Sequence, residues 1–469
     1  MTDYRFPVEE SMRQRTKNII LTVAGIQILL VIALLVLPAL VGAIPGRYRV
    51  ALQERSPFLS GIVEGMIDQV APMATALPVA AVSADEPQVD IQSLLVVTAV
   101  SSPTPTSKPT EAPTEAPDAE STPLPTNTPI PTPTNTPTPE PLPTSVVLDG
   151  MDVIRQTFNN CGPANLTQVL NFMGYDITQE EVADYLKPNS EDRNVSPWQI
   201  ADYVNGFTGN AFKASAHSGG TLELIKEFIA AGYPVVIEKG YELPGQGWWG
   251  HYLTVFGYDD EQQILYSQDS YLGPWDGSGR TDDYEEFEFY WQQFNYTFYV
   301  VYFPSQEAEV QAILGPELVE PMDMWRMVAA RAQAEIDADP ENVFAWFNLG
   351  SALTEMGAKT GEAQYYQGGA QAYDQARELG LPPRMLWYQF KPYLAYWKIG
   401  RHDDVIALAD ATLETQGGRN VEETYWYKGL ALESQGNISE AITNYRAALE
   451  VNHNAYYAQW SLDALTGGG

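Results

Sequence analysis

The chain has 469 residues, 45% hydrophobic and 12% aromatic, a length and composition that suit two or three folded domains. Its 26 Lys and Arg against 60 Asp and Glu leave a formal net charge of -34, which excludes nucleic acid as an expected partner because phosphates would go unneutralised. One cysteine excludes an internal disulfide and a cysteine-built structural zinc site.

Residues 19–43, IILTVAGIQILLVIALLVLPALVGA, contain no charge and one strongly polar side chain, Gln27. As a helix this run rises about 37 Å, enough to cross a hydrocarbon layer of about 30 Å. It is also longer than the apolar part of a cleaved signal peptide, about 7–15 residues. An uncleaved single-pass anchor is expected, with residues 1–18 in the cytoplasm. Arg5, Arg13, Arg15 and Lys17 before the run barely outweigh Arg47, Arg49 and Arg55 after it, so charge gives little orientation. The better guide is residues 101–145, a Pro/Thr-rich tract that cannot bury a core. Extended as polyproline at about 3.1 Å per residue, it reads as a disordered stalk that holds the folded domains outside the cytoplasm, at the cell membrane. Between anchor and tract, residues 44–100 stay unassigned. FLSGIVEGMIDQV has an amphipathic helical pattern and IQSLLVVTAV a strand-like one, neither with an evident partner.

Residues 146–304 change character. CGPANLTQVLNFMG, TQEEVADYL, SPWQIADYV and TLELIKEFIAAG have helical spacing, and the second and third open with capping Thr or Ser. YPVVIEKG, HYLTVFGYDD, QILYSQDS and NYTFYVVYF are rich in β-branched and aromatic residues and read as strands. Helices followed by an antiparallel sheet define an α+β domain. Cys161 falls at the start of the first helix, with Pro163 in its first turn. Unpaired N–H groups and the helix dipole there favour thiolate over thiol. A nucleophile also needs a base, and His251 opens a strand that turns back toward Asp269. If Tyr258 pairs with Ile264, Leu253 faces Asp269, and His251 and Asp269 lie diagonally on one face about 7–8 Å apart. A one-residue slip would put them on opposite faces. His217, in KASAHSGG, is the alternative base but reads as part of an exposed turn. The run DGSGRTDDYEEFE lacks the spacing of a calcium loop and reads as a solvated acidic loop.

The stretch CGPA, the strand after Gly250–His251, Asp269 and the α+β order together resemble papain-like bacterial cysteine peptidases. The resemblance is to those typified by double-glycine (bacteriocin) leader peptidases, family thirty-nine of the cysteine peptidases, in its stand-alone branch. It implies catalysis by Cys161, His251 and Asp269 on a peptide or protein substrate, with Gln156 as an oxyanion donor and Asn160 as its substitute. It implies neither a metal nor an organic cofactor. The rival reading is a catalytically inactive, peptidase-like adaptor that binds peptides.

Residues 305–321 form a junction with two prolines and several apolar positions. In residues 322–469 the spacing Gly429, Leu432, Gly436, Ala441, Tyr445, Ala448 resembles a tetratricopeptide repeat. An earlier copy runs from Trp346 through Leu349, Gly350, Leu353 and Gly357 to Tyr373 and Ala376, with about seven extra residues around KTGEAQYYQGG. A middle copy keeps Gly400, and its Pro392 predicts a kink. The resemblance implies an all-α repeat domain, folding apart from the peptidase and offering a surface to substrate or a protein partner.

Overall fold

In the computed structural model the described residues are 141–243, 247–415 and 417–467, the pieces 76–80 and 88–95, and isolated positions between 17 and 63. The expected anchor at 19–43 and the Pro/Thr tract lie almost wholly outside them. Among the described residues no helix is long and apolar enough to cross a membrane.

A short helix α1 (Ile91–Leu95) precedes β1 (Ser145–Val147), α2 (Cys161–Phe172), α3 (Gln179–Leu186), α4 (Pro197–Phe207), β2 (Lys213–His217) and α5 (Leu222–Ala230). Then come β3 (Val235–Leu243), β4 (Gly247–Asp259), β5 (Ile264–Gln268), β6 (Arg280–Asp283), α6 (Tyr284–Gln292) and β7 (Phe298–Tyr302). Helices start where capping chemistry sets them. Thr178 with Glu181 and Ser196 with Gln199 form reciprocal capping boxes at α3 and α4.

The strands make one antiparallel sheet in the order β2-β7-β3-β4-β5-β6, and β1 pairs with the far end of β4, beyond β3. Alternate residues of the central strands serve two cores, as a pleated strand requires. Val236, Tyr252, Tyr299 and Val301 face α2–α4 and pack on Leu166, Val169, Ile200 and Val204. Val235, Ile237, Leu253, Val255, Phe298 and Val300 face the opposite side, against Ile225, Phe228 and Trp291. Burial on both faces explains why these strands read as nearly continuous apolar runs.

The C-terminal part continues with α7 (Glu307–Val319), α8 (Pro321–Ala338), α9 (Val343–Thr360), α10 (Ala363–Glu378) and α11 (Lys391–Lys398). It ends with α12 (His402–Leu413), α13 (Glu422–Ser434), α14 (Ile438–Val451) and α15 (Tyr456–Thr466). Two pairs share one contact: a Cβ at Gly350 would fall on the Tyr373 ring, and one at Gly429 on the Tyr445 ring. Only glycine lets the second helix lie so close to the first. The extra residues of the first pair are helical, since α9 and α10 have 18 and 16 residues where α13 and α14 have 13 and 14.

Four expectations are corrected. The two halves are not separate bodies: Leu314, Trp325, Val328, Ala332, Leu349 and Leu353 share a single core with Ile225, Phe228, Trp291 and Phe298 of the sheet side. The acidic run is a loop only through Gly279; from Arg280 it is strand β6 followed by the start of α6, where Asp283 caps by accepting from the Glu285 and Glu286 N–H groups. IQSLL is helix, not strand, and its Ile91, Leu94 and Leu95 pack on the C-terminal part. Pro392 kinks nothing, because α11 begins at Lys391 and proline is tolerated in a first turn.

Candidate active site

Cys161 is the first residue of α2, after an Asn159 with φ 56 and an Asn160 outside helical geometry. The buried Lys187 ammonium holds this approach by donating to the Asn159 carbonyl (2.9 Å) and the Asp192 carbonyl (2.8 Å). The sulfur hydrogen-bonds the His251 side chain and accepts from the Tyr252 backbone N–H. Burial by itself would raise the thiol pKa. The hydrogen bond and charge of His251, the Tyr252 N–H and the Lys187 charge overcome it and bring the thiol below its ordinary value.

His251 Nε2 lies 2.9 Å from Asp269 Oδ1, which leaves Nδ1 for the thiol. Burial would lower the imidazole pKa, but the Asp269 charge and hydrogen bond, joined by Cys161, raise it to about 9. Asp269 is buried too. The His251 charge and hydrogen bond, with the Leu272 and Tyr271 N–H groups, outweigh burial and hold its carboxyl at about 2. Both N–H groups donate to Oδ1 at 2.8 Å, and Arg280 Nη1 stands 3.3 Å from Oδ2. Beyond it, Asp282 Oδ1 lies 3.5 Å from Arg280 Nε and 3.5 Å from Lys239 Nζ. From sulfur outward, negative and positive groups alternate across one side of the sheet.

The register behind this arrangement differs from the sequence expectation in a specific way. Asp259 pairs with Ile264 and Tyr258 with Leu265, one residue out of the expected pairing. A bulge at Phe256 takes up the extra residue, so that Val255 pairs with Ser267 and Thr254 with Gln268. Continued one step, that pairing sets Leu253 opposite Asp269 and His251 on the diagonal. The bulge restores the geometry the hairpin turn would have destroyed.

Gln156 is stitched to the same corner. Its N–H donates to the Ser270 carbonyl (2.9 Å), and its Oε1 accepts from Ser270 Oγ (2.9 Å), so the free donor is Nε2. Asn160 spends its amide on Thr157 Oγ1 at 2.7 Å. His217 is buried on edge strand β2 rather than exposed in a turn. It bonds Ser215 Oγ (2.6 Å) and stacks on Phe298, and burial lowers its pKa to about 4.

Sequence reasoning missed a buried polar cluster under the site. Asn165 Nδ2 is within reach of the Cys161 carbonyl (2.9 Å), the Tyr252 carbonyl (3.0 Å) and Ser270 Oγ (3.3 Å). Its Oδ1 accepts from Thr254 Oγ1 (2.7 Å) and Gln168 Nε2 (3.3 Å). Cys161, Asn165 and Gln168 stand at i, i+4 and i+7, so a polar stripe on the core side of a helix was the available signal. The cluster ties α2, β4 and the end of β5 together and fixes the thiol relative to the imidazole.

A lowered thiol, a raised imidazole and a carboxylate behind it are the parts of a thiolate–imidazolium nucleophile. Residues 148–299 match the family described as the Peptidase_C39 like family, over about a third of the chain. This part of the protein is similar to that family of cysteine peptidases. No curated protein matches the chain.

Proposed function

We propose that the protein is a thiol peptidase, anchored in a bacterial cell membrane with its folded part outside the cytoplasm, that cleaves peptide or amide bonds. The hydrogen-bonded series Cys161–His251–Asp269 carries this reading. The Cys161 thiolate adds to the substrate carbonyl carbon, and the resulting oxyanion accepts from the Cys161 N–H and Gln156 Nε2. His251 then gives its proton to the leaving nitrogen, the C–N bond breaks, and a thioester remains. Water, deprotonated by His251, hydrolyses the thioester and returns the thiolate. Asp269 holds the ring and keeps the imidazolium favourable throughout. Preorganised donors of this kind are worth about 2.7–4 kcal/mol each in the transition state.

The anchoring reading is supported by the uncharged run at 19–43, and the orientation by the Pro/Thr tract that follows it. The recurring glycine–tyrosine contacts support tetratricopeptide-like repeats in the C-terminal part, and a protein partner for that part follows from the repeat resemblance alone. The test of the enzyme is labelling of the single cysteine with iodoacetamide. Wild-type Cys161 should label rapidly near pH 7, and His251→Ala should label slowly. Equal, sluggish labelling of both forms refutes the enzyme and leaves an adaptor.

A further inference from the structure

The tetratricopeptide-like part brings an expectation of an open peptide surface, and part of that helical array is covered by the chain's own residues. Two pieces from ahead of the Pro/Thr tract lie on it. Leu77 packs against the core cluster that includes Tyr373 of α10 and Tyr396 of α11, while Val79 points to solvent. The Pro78 carbonyl is gripped by Arg377, through Nε at 3.0 Å and through Nη2. That guanidinium is set in place from behind, since its Nη1 donates to Asp404 Oδ1 (3.0 Å) and the Tyr396 hydroxyl (3.1 Å). Further along, the Gln371 carboxamide, oriented so that both its ends are satisfied, meets the Val89 N–H at 2.9 Å and the Val89 carbonyl at 3.1 Å. An amide side chain pairing with both groups of one residue reads backbone, which is how an extended peptide is held without regard to its side chains.

The short helix α1 then presents Ile91, Leu94 and Leu95 to the array and leaves Gln92 and Ser93 in solvent, an i, i+3, i+4 pattern. The seat for Leu94 and Ile91 is at Gly368, whose missing side chain leaves room for both. Gly368 belongs to the stretch KTGEAQYYQGG, the extra residues that set this helix pair apart. The insertion and the occupant therefore meet at one place.

We propose that the pieces 77–80 and 88–95 are the resident ligand of the C-terminal array, binding it through a backbone clamp (Gln371 and Arg377) and an apolar seat. Residues 96–140 then join two points of one folded body, from α1 at one end to β1 at the other. The Pro/Thr tract does not set how far the peptidase stands from whatever holds residue 76. That distance belongs to the residues before Leu77. The inference does not depend on the chemistry at Cys161.

The test uses the full chain with a protease recognition sequence placed within residues 110–130, cut and then resolved by size in mild detergent. The wild-type N-terminal piece should remain bound to the peptidase piece after cutting. The double variant Ile91→Asp, Leu94→Asp places two charges in the apolar seat. It should weaken that association about a hundredfold or more and let the pieces separate. Thermal unfolding of the uncut variant checks that its folded body is intact. Two results overturn the proposal. One is separation of the wild-type pieces on cutting. The other is retention in the double variant equal to wild type, which would place the attachment elsewhere.

Discussion

Replacing Asp269 with Asn removes one charge from the site and keeps an oxygen that can accept from the Tyr271 and Leu272 N–H groups. The size of the effect follows from the imidazole. Its pKa is raised from an ordinary 6.5 to about 9, although burial alone would lower it. That difference corresponds to about 3 kcal/mol in favour of the imidazolium. Without the Asp269 charge, Cys161 alone is left to oppose burial and His251 falls back toward its ordinary value. At pH 7 the imidazolium becomes a minor form, and the thiolate it supports becomes minor too. Iodoacetamide labelling at pH 7 should fall about a hundredfold, following the conversion of about 1.4 kcal/mol per tenfold. The assay is free of background because the sequence has one cysteine. The wild-type rate should reach its plateau below the ordinary thiol range and change again near pH 9, where the imidazolium loses its proton. The variant should show one rise, near the ordinary thiol pKa of about 8.5. A variant rate within threefold of wild type at pH 7 would show that Asp269 does not support the ion pair.

Asn165→Ala strips partners from the Cys161 and Tyr252 carbonyls and from Thr254 at once. It should cost about 3 kcal/mol in a denaturant titration, since each buried polar group left unpaired costs about 1–3 kcal/mol. A chain ending after Pro304 would expose the sheet face that Leu314, Trp325, Val328 and Leu349 cover. It should be insoluble or lack fast labelling at Cys161; a soluble, fully reactive fragment would refute the shared core. Stability should also depend on pH in a defined direction. Burial holds the Asp192 and Glu238 carboxyls well above the usual range, so their contribution falls as pH rises past about 4. The His251 contribution is complete below 6.5 and is lost as pH rises through about 9; that of Asp269 is present above 3.8 and is lost as pH falls through about 2. Cys161 and His217, both lowered in the fold, act in the opposite sense, so the burial of Glu238 is read by difference. Between pH 5 and pH 8 the denaturation midpoint of wild type should fall further, or rise less, than that of Glu238→Gln, and the reverse order would contradict this assignment.

The sequence made the pairing of chemistry with elements legible, because capping residues, β-branched runs and a proline after Cys161 are local signals. It could not make the bulge at Phe256 legible. That bulge is a compromise among three neighbours of β4, namely β3, β5 and β1, which takes over where β3 ends. Asn165 and Gln168 stayed hidden for another reason. Polar residues in a helix ordinarily mark the solvent side, and only the tertiary fold reveals that this polar stripe faces inward. The apolar stripes of α8 and α9 showed that a face is buried without showing against what, so the junction looked like a boundary when it is a bridge. The same limit applied to Ile91, Leu94 and Leu95, whose partner lies far away in the sequence.

The contact between Gly250 and the C-terminal part has a consequence in time. A Cβ at Gly250 would strike the rings of Phe294 and Tyr388, so the backbone beside His251 is bounded by one residue of the sheet side and one from far downstream. Arg384 Nη1 also donates to the Trp248 carbonyl at 3.0 Å, two residues before that glycine. Synthesis runs from the N-terminus, at about 5–20 residues per second, so Cys161 emerges well before the residues that seat His251. Until Tyr388 has followed, the backbone beside His251 lacks one of the two rings that bound it, so the walls of the site are completed late in synthesis.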